Sequence, residues 1–275
     1  MLGAVHIAVS DLERSLSYYQ TSLGFKVHRR AGSTAYLGAG GVDLLVLTEQ
    51  PNAKPLQRWT GLYHFAILVP SRLELAQVLR RLIETRTPLG GFADHLVSEA
   101  IYLNDPDGNG IEIYRDRPRT DWYDKNGRFV MGTEQLDIDG VLAELKNASG
   151  AWAGLAPDTV LGHMHLKVAS ISDAKAFYVG VLGFDVMASM GSALFLSAGG
   201  YHHHLGMNIW ESANAPAAPA DAVGLREFVV NLRSQAELDK VLARIQAANL
   251  PIEQHTQGYL VRDPSQNAVI LTAGS

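Results

Sequence analysis

The sequence predicts an α+β fold of four βαβββ modules in two tandem halves, forming curled mixed sheets with helices outside. Three internal matches carry that prediction. The segment SLSYYQTSLGFKV, ending at Val27, returns as AKAFYVGVLGFDV, ending at Val186, 159 residues later. GLYHFAILVPSRLELAQVLRRL from Gly61 returns as GLREFVVNLRSQAELDKVLARI from Gly224, 163 residues later. YLNDPDGNGIEIY from Tyr102 matches LVRDPSQNAVILT from Leu260. Repetition of this kind means that one architecture is built twice.

Each half divides again. Ala4 to Val9 reads as a short strand. Asp11 is placed to cap a helix whose apolar positions Leu12, Leu16, Tyr19 and Leu23 recur at three- and four-residue spacing, and Gly24 stops it. Lys26 to Arg29, Ala35 to Leu37 and Val42 to Leu47 are short β-rich runs, with Gly38 to Gly41 as turn material. The second unit repeats the order with a strand at Leu62, a helix from Leu73 to Ile83, and strands at Ala100 to Leu103 and Gly110 to Tyr114. Two more units follow Gly162. The expected division is 1–120 for the first pair of modules, 121–160 for a connector with one helix near Ile138 to Lys146, and 161–275 for the second pair.

Composition narrows the function. The 275 residues carry 23 basic and 28 acidic side chains, a formal net charge of -5, with 47% hydrophobic and only 19% charged residues. That describes a compact protein without the basic block needed to coat nucleic acid. There is no cysteine, so disulfides, thiolate metal sites and a cysteine nucleophile are excluded, and ten histidines remain as the soft ligands. No apolar run approaches the ~18 residues that span a bilayer, and the start Met-Leu-Gly-Ala-Val-His lacks the basic residues of a signal peptide. A cytoplasmic protein without membrane partners is the expectation.

Strand alternation names the residues on the concave face, because the helix-packed face is apolar. Ile111 and Ile113 pack, so Glu112 and Tyr114 face the cavity. Met164, Leu166 and Val168 pack, so His163, His165 and Lys167 face it. Reading Tyr201 to Trp210 as one strand packs Leu205, Met207 and Ile209 and turns His202, His204, Asn208 and Trp210 inward. Five residues before the hydrophobic residue closing each first strand stand Ala4, His64, His163 and Glu227. Only the second and third units offer histidine, and the last strand of the second offers Glu112 where the fourth has Ile270. Two histidines and one carboxylate on one face, with open positions, suit a mononuclear Fe(II) site.

GHMHLKVASISDAKAFYVGVLGF, GLYHFAIL, LNDPDGNGIEIYRDRP and SAGGYHHHLGMNIW together resemble the vicinal oxygen chelate superfamily, which includes glyoxalases, bleomycin-resistance proteins and extradiol dioxygenases. Within it the chain resembles the four-module catechol 2,3-type dioxygenases over nearly its whole length, the connector excepted. The resemblance implies a metal site of His64, Glu112 and His163, holding Fe(II) or alternatively Mn(II). It implies an oxidoreductase that opens a small aromatic diol with dioxygen, as in aromatic hydrocarbon catabolism. In better-known members the ligands come from the third and fourth units, whereas here they come from the second and third. That pairing requires the second unit to assemble with the third and the first with the fourth. The rival set replaces His163 by His6, two residues out of register.

The resemblance also implies an acid/base histidine on the last strand of the third unit. His202 is favoured by parity, ahead of His204 and His203. It further implies that Tyr102 hydrogen-bonds a substrate oxygen and that His95 contacts substrate. His6 and His255 read as ordinary polar residues, and Asp105 to Asn109 alone is a tight turn. Trp210, Tyr114 and Trp122 suit either a pocket wall or a core. Two other functions share the fold: a glyoxalase-like metal-dependent lyase or isomerase, which usually draws four protein ligands, and a non-catalytic small-molecule binding protein. Sheet edges in such units often pair between chains, which makes a homo-oligomer the expected alternative to a monomer.

Overall fold

The computed structural model describes residues 1–148 and 150–274; the connector and the last unit thus each include one residue, Ser149 and Ser275, outside the described residues. The first unit is β1 (Leu2–Val9), α1 (Leu12–Thr21), β2 (Lys26–Ala31), β3 (Thr34–Gly38) and β4 (Asp43–Glu49). The second is β5 (Gly61–Leu68), α2 (Arg72–Glu84), β6 (Gly91–Asp94), β7 (Ser98–Asn104) and β8 (Gly110–Asp116). The connector carries α3 (Ile138–Ala143), extended by a 3-10 turn to Asn147. The third unit has β9 (Val160–Lys167), α4 (Ile171–Lys175) running into a π-type turn, β10 (Asp185–Ser189), β11 (Ala193–Ser197) and β12 (Leu205–Asn208). The fourth has β13 (Gly224–Leu232), α5 (Gln235–Ala247), β14 (Glu253–His255), β15 (Gly258–Arg262) and β16 (Ala268–Ala273).

Local sequence sets these boundaries. Asp11, Ser71, Ser170 and Ser234 cap their helices by accepting a hydrogen bond from the backbone N–H three residues on. After α1 the chain reverses at Gly24, whose φ of +73° is the left-handed conformation that glycine adopts without a Cβ clash. Within the second unit, β6 is the strand not named among those expected. Its four residues are too short to show alternation.

The units do not pair along the chain. One eight-stranded sheet runs β14-β15-β16-β13-β1-β4-β3-β2 and joins the fourth unit to the first. The other runs β10-β11-β12-β9-β5-β8-β7-β6 and joins the third to the second. At the seam of the second sheet, β5 and β9 are antiparallel, with His64 opposite His165 and Ala66 opposite His163. At the seam of the first, β1 and β13 are antiparallel, with His6 opposite Glu227. Each seam thus places the first strands of two units side by side.

One continuous apolar core joins the convex faces of both sheets to the helices. Val5, Ile7 and Val9 of β1, Phe65 and Ile67 of β5, and Met164 and Leu166 of β9 all belong to it. Arg81 of α2 donates to the Thr21 carbonyl at the end of α1, and Arg244 of α5 does the same to Val181. The internal repeat is visible in two buried tyrosines. Tyr19 donates to Asp105 at 3.0 Å, and Tyr178 donates to Asp263 at 3.0 Å, each aspartate organising the turn before a last strand. Burial raises the pKa of both carboxyls despite these hydrogen bonds.

Removing either hydroxyl leaves a buried carboxylate oxygen short of a donor. Tyr19→Phe and Tyr178→Phe are each expected to cost about 1–3 kcal/mol, read as lower urea midpoints at unchanged slope. The two share no partner, so the double variant should show close to the sum. Unchanged midpoints would mean that the turns hold without the tyrosines.

Candidate metal centre

The concave face of the second sheet carries a cavity of about 900 Å³. His163 of β9, Ala66 of β5 and Glu112 of β8 stand in one row across three adjacent strands, and His64 lies one residue pair along β5. Ala66 matters here because its methyl group leaves the space into which the flanking side chains converge. His64 Nε2 and His163 Nε2 each lie 3.0 Å from Glu112 Oε2 and 3.4 Å from one another. All three residues are buried.

This spacing fits a metal ion. Nitrogen and oxygen donors about 2.1 Å from a common ion stand roughly 3.0–3.4 Å apart, depending on the angle between them. Two imidazole nitrogens and a carboxylate oxygen are the donor set of the two-histidine, one-carboxylate sites. Among the described residues, His64, Glu112 and His163 form the one group of three or more potential ligands brought together. Burial pushes Glu112 toward protonation, but the charges and hydrogen bonds of His163 and His64 outweigh it and hold the carboxyl well below its usual range. Burial lowers the pKa of His163, which keeps its lone pair available.

His6 is not part of this group. It lies on the other sheet, where its Nδ1 is 2.5 Å from Glu227 Oε1 and its Nε2 is 2.8 Å from Thr48 Oγ1. By strand register Glu227 occupies the place of His64, His6 that of His165, Ala4 that of His163, and Ile270 that of Glu112. Val229, Leu260, Ala268 and Ile270 fill that face with an apolar cluster. Among the described residues the first-with-fourth sheet therefore keeps the frame but brings no group of three donors together.

Tyr102 and His95 both line the cavity. His95 Nδ1 donates to the Gly132 carbonyl at 2.8 Å, so in the neutral ring Nε2 accepts from the Tyr102 hydroxyl at 2.7 Å. Burial and the nearby negative charge of Glu112 raise the Tyr102 pKa well above its ordinary value. The connector enters the site through this contact. Met131, Gly132 and Thr133 line the cavity, a contribution that a connector set aside from the repeat conceals.

The triple histidine is placed differently from the parity expectation. β12 begins at Leu205, so His202, His203 and His204 precede the strand. Gly199 and Gly200, at φ +71° and +70°, turn the chain just before them and break the alternation on which parity depends. His203 lines the cavity and stacks on His163 with ring centroids 4.2 Å apart. His202 is fully buried behind it against Trp122, and His204 turns back to Ser197. Burial pushes the His203 pKa well down and that of His204 down to about 4. Of the three, His203 is the one that lines the cavity, and His202 is buried beside it.

Hydrogen bonds give this group a direction. Asp116 accepts from His202 Nε2 at 2.9 Å, and His202 Nδ1 lies 2.8 Å from His203 Nδ1. A carboxylate only accepts, so neutral His202 carries its hydrogen on Nε2 and accepts at Nδ1 from His203. His203 Nε2 is then left as an acceptor. Tyr201 also donates to Asp116, at 3.1 Å, and Tyr114 bonds to Tyr201 at 2.7 Å. Asn208 donates to His165 Nε2 at 3.0 Å, and His165, whose pKa burial lowers strongly, packs 4.9 Å from the His64 ring. Trp210 lines the cavity, whereas Trp122 and Tyr114 are buried packing groups.

The pattern of the Glyoxalase/Bleomycin resistance protein/Dioxygenase superfamily matches residues 2–113 and 160–271. The chain belongs to this superfamily. The two matched segments are the two tandem halves, and the gap between them is the connector. A relative named catechol-2,3-dioxygenase from Bacillus subtilis (strain 168) is 47% identical over 275 residues, covering 98% of this chain and 95% of that protein. The metallothiol transferase FosB of Lysinibacillus sphaericus (strain C3-41) is 29% identical over 124 residues, 43% of this chain and 85% of its own. Among solved structures, one from Bacillus subtilis subsp. subtilis str. 168, described provisionally as a dioxygenase, superposes with a TM-score of 0.66 at 13% identity, covering 98% and 84% of the two chains. Glyoxalase I from Zea mays superposes at 0.59 with 15% identity, covering 99% and 92%. These superpositions show that this superfamily member has the vicinal oxygen chelate fold. No helix of the described residues is long and apolar enough to cross a membrane.

Proposed function

We propose that this chain is an extradiol ring-cleavage dioxygenase that opens a catechol-type diol beside its hydroxyls, using Fe(II) held by His64, Glu112 and His163. The observation that carries this reading is the convergence of those three donors on one wall of a ring-accommodating cavity, in a chain 47% identical to a catechol-2,3-dioxygenase. Mn(II) is accepted by the same donors. Fe(II) held there would offer its open positions to the two oxygens of the diol and would supply electrons toward dioxygen. With three protein donors and not four, the site keeps the open positions that two substrates need, which favours ring cleavage over the glyoxalase-type reaction. The protein acts in the cytoplasm on small aromatic diols.

The chain's own groups handle binding and protons. His203 Nε2, left as an acceptor by the Asp116–His202 chain, takes the proton that a catechol hydroxyl loses on binding and returns it later. Burial holds the His203 pKa well down, so the ring is neutral before substrate arrives and its Nε2 lone pair is free to accept. Tyr102, held by His95, orients a substrate oxygen on the Glu112 side. Tyr63, Phe195 and Trp210 enclose the ring and exclude water.

Anaerobic loading with Fe(II), then catechol, then air, is expected to yield the yellow ring-opened semialdehyde. Stoichiometric bound iron with no yellow product from any substituted catechol would overturn the ring-cleavage reading.

A further inference from the structure

Lys167 ends β9 on the same face as His163 and His165, and the reaction outlined above leaves it without a task. It is 8% exposed and lines the cavity beside Leu62, Phe195, Met190 and Trp210, an apolar setting for an ammonium. Its one ion-pair neighbour among the described residues is Glu211, at 3.9 Å, too long for a hydrogen bond, and that carboxylate's side chain is 61% exposed. No hydrogen bond to Nζ is found among the described residues. A cation in a cavity wall that has no hydrogen-bond partner from the protein has its donors free for an acceptor bound within the cavity. Burial also lowers the Lys167 pKa, with Glu211 opposing it only in part.

Position narrows what that acceptor is. Strand rise of about 3.3 Å per residue puts the Lys167 backbone roughly 13 Å from that of His163. A diol anchored at His64, Glu112 and His163 therefore presents to Lys167 a ring substituent and not its hydroxyls. The volume agrees, because about 900 Å³ lies near the top of the ~300–1,000 Å³ range of pockets for drug-sized ligands. A single unsubstituted ring leaves much of it unfilled.

We propose that the preferred substrate is a catechol bearing a short apolar arm that ends in a carboxylate, and that Lys167 receives that carboxylate. This rests on the ring-cleavage reading for the identity of the diol. An anion is favoured over a neutral acceptor because charge-assisted hydrogen bonds are roughly twice as strong as neutral ones, and because among the described residues the one carboxylate within 4.0 Å of Lys167 is Glu211, too far for a hydrogen bond. The four-carbon lysine stem packs with the apolar wall, and the arm of the substrate passes along the same surface.

The test compares dihydroxyphenyl-propanoate with its primary amide, which has the same shape and no charge. Anaerobic calorimetry on the iron-loaded protein should show the acid binding about tenfold or more tightly, and kcat/KM should show the same preference in air. Lys167→Met should lower the acid-to-amide ratio at least tenfold, and Lys167→Arg should retain part of it. Lys167→Gln serves if the methionine variant does not fold. An unchanged ratio in the Met or Gln variant, or a wild-type preference for the amide, overturns the proposal. If neither compound is cleaved but charge-dependent binding through Lys167 persists, the ring-cleavage reading fails alone. If both are cleaved with an unaltered ratio, the assignment of Lys167 fails alone.

Discussion

His163→Ala is expected to abolish stoichiometric Fe(II) binding, whereas His6→Ala leaves it intact. The imidazole of His163 sits 3.0 Å from the Glu112 oxygen and 3.4 Å from the His64 nitrogen, so its removal leaves two donors where three converge. Loss of groups that merely orient a ligand weakens metal binding about 10- to 100-fold, and loss of a ligand should exceed that. His6 pairs with Glu227 and Thr48 on the other sheet, and its replacement affects local stability alone. Glu112→Gln should behave as His163→Ala does, since it removes the one negative charge buried in the group. Equilibrium dialysis under anaerobic conditions, with iron measured by chelation, checks all three. Iron lost with His6→Ala and kept with His163→Ala would move the site to the first half of the chain.

His203→Gln should lower kcat about 10²- to 10⁴-fold, the usual span for losing a general acid/base, while bound iron stays near one per chain. Glutamine keeps the volume and a hydrogen bond but cannot exchange a proton near neutrality. His202→Phe should do less, on the order of tenfold. It preserves the ring against Trp122 and Tyr201 but cuts the link through which Asp116 sets the direction of the His203 hydrogen bond. Single-turnover kinetics separate this from a binding defect, because the loss should fall on ring opening and not on formation of the substrate complex. A larger loss in His202→Phe than in His203→Gln would restore His202 as the acid/base residue.

The comparison of these two histidines shows where reading by strand parity stops. For Met164, His165, Leu166 and Lys167, and for Ile111, Glu112 and Ile113, alternation assigns the face correctly because each lies inside a paired strand. At Tyr201 to His204 the same rule is applied outside the strand, beyond two left-handed glycines, and it names the buried neighbour of the cavity residue. Asp116 carries no motif. Its role depends on Tyr201 and His202, 85 and 86 residues away, and only the packed structure brings them together. The connector is a similar case, since Gly132 offers a backbone carbonyl and backbone groups leave no mark in composition.

Several features were determined by the amino-acid sequence alone: four repeated units, the caps of their helices, and the positions in each repeat that hold histidine or glutamate. These depend on local propensity and on a period of two or of about 3.6 residues, which are properties of short segments. The motifs on the first and last strands of these units also carry the resemblance to the superfamily. Tertiary structure decided which units share a sheet, and therefore whether His163 or His6 stands beside His64 and Glu112. The physical reason is that strand pairing across β5 and β9 is a contact between residues about a hundred positions apart. A strand's own alternation says which face a side chain takes, but it does not say which strand lies alongside.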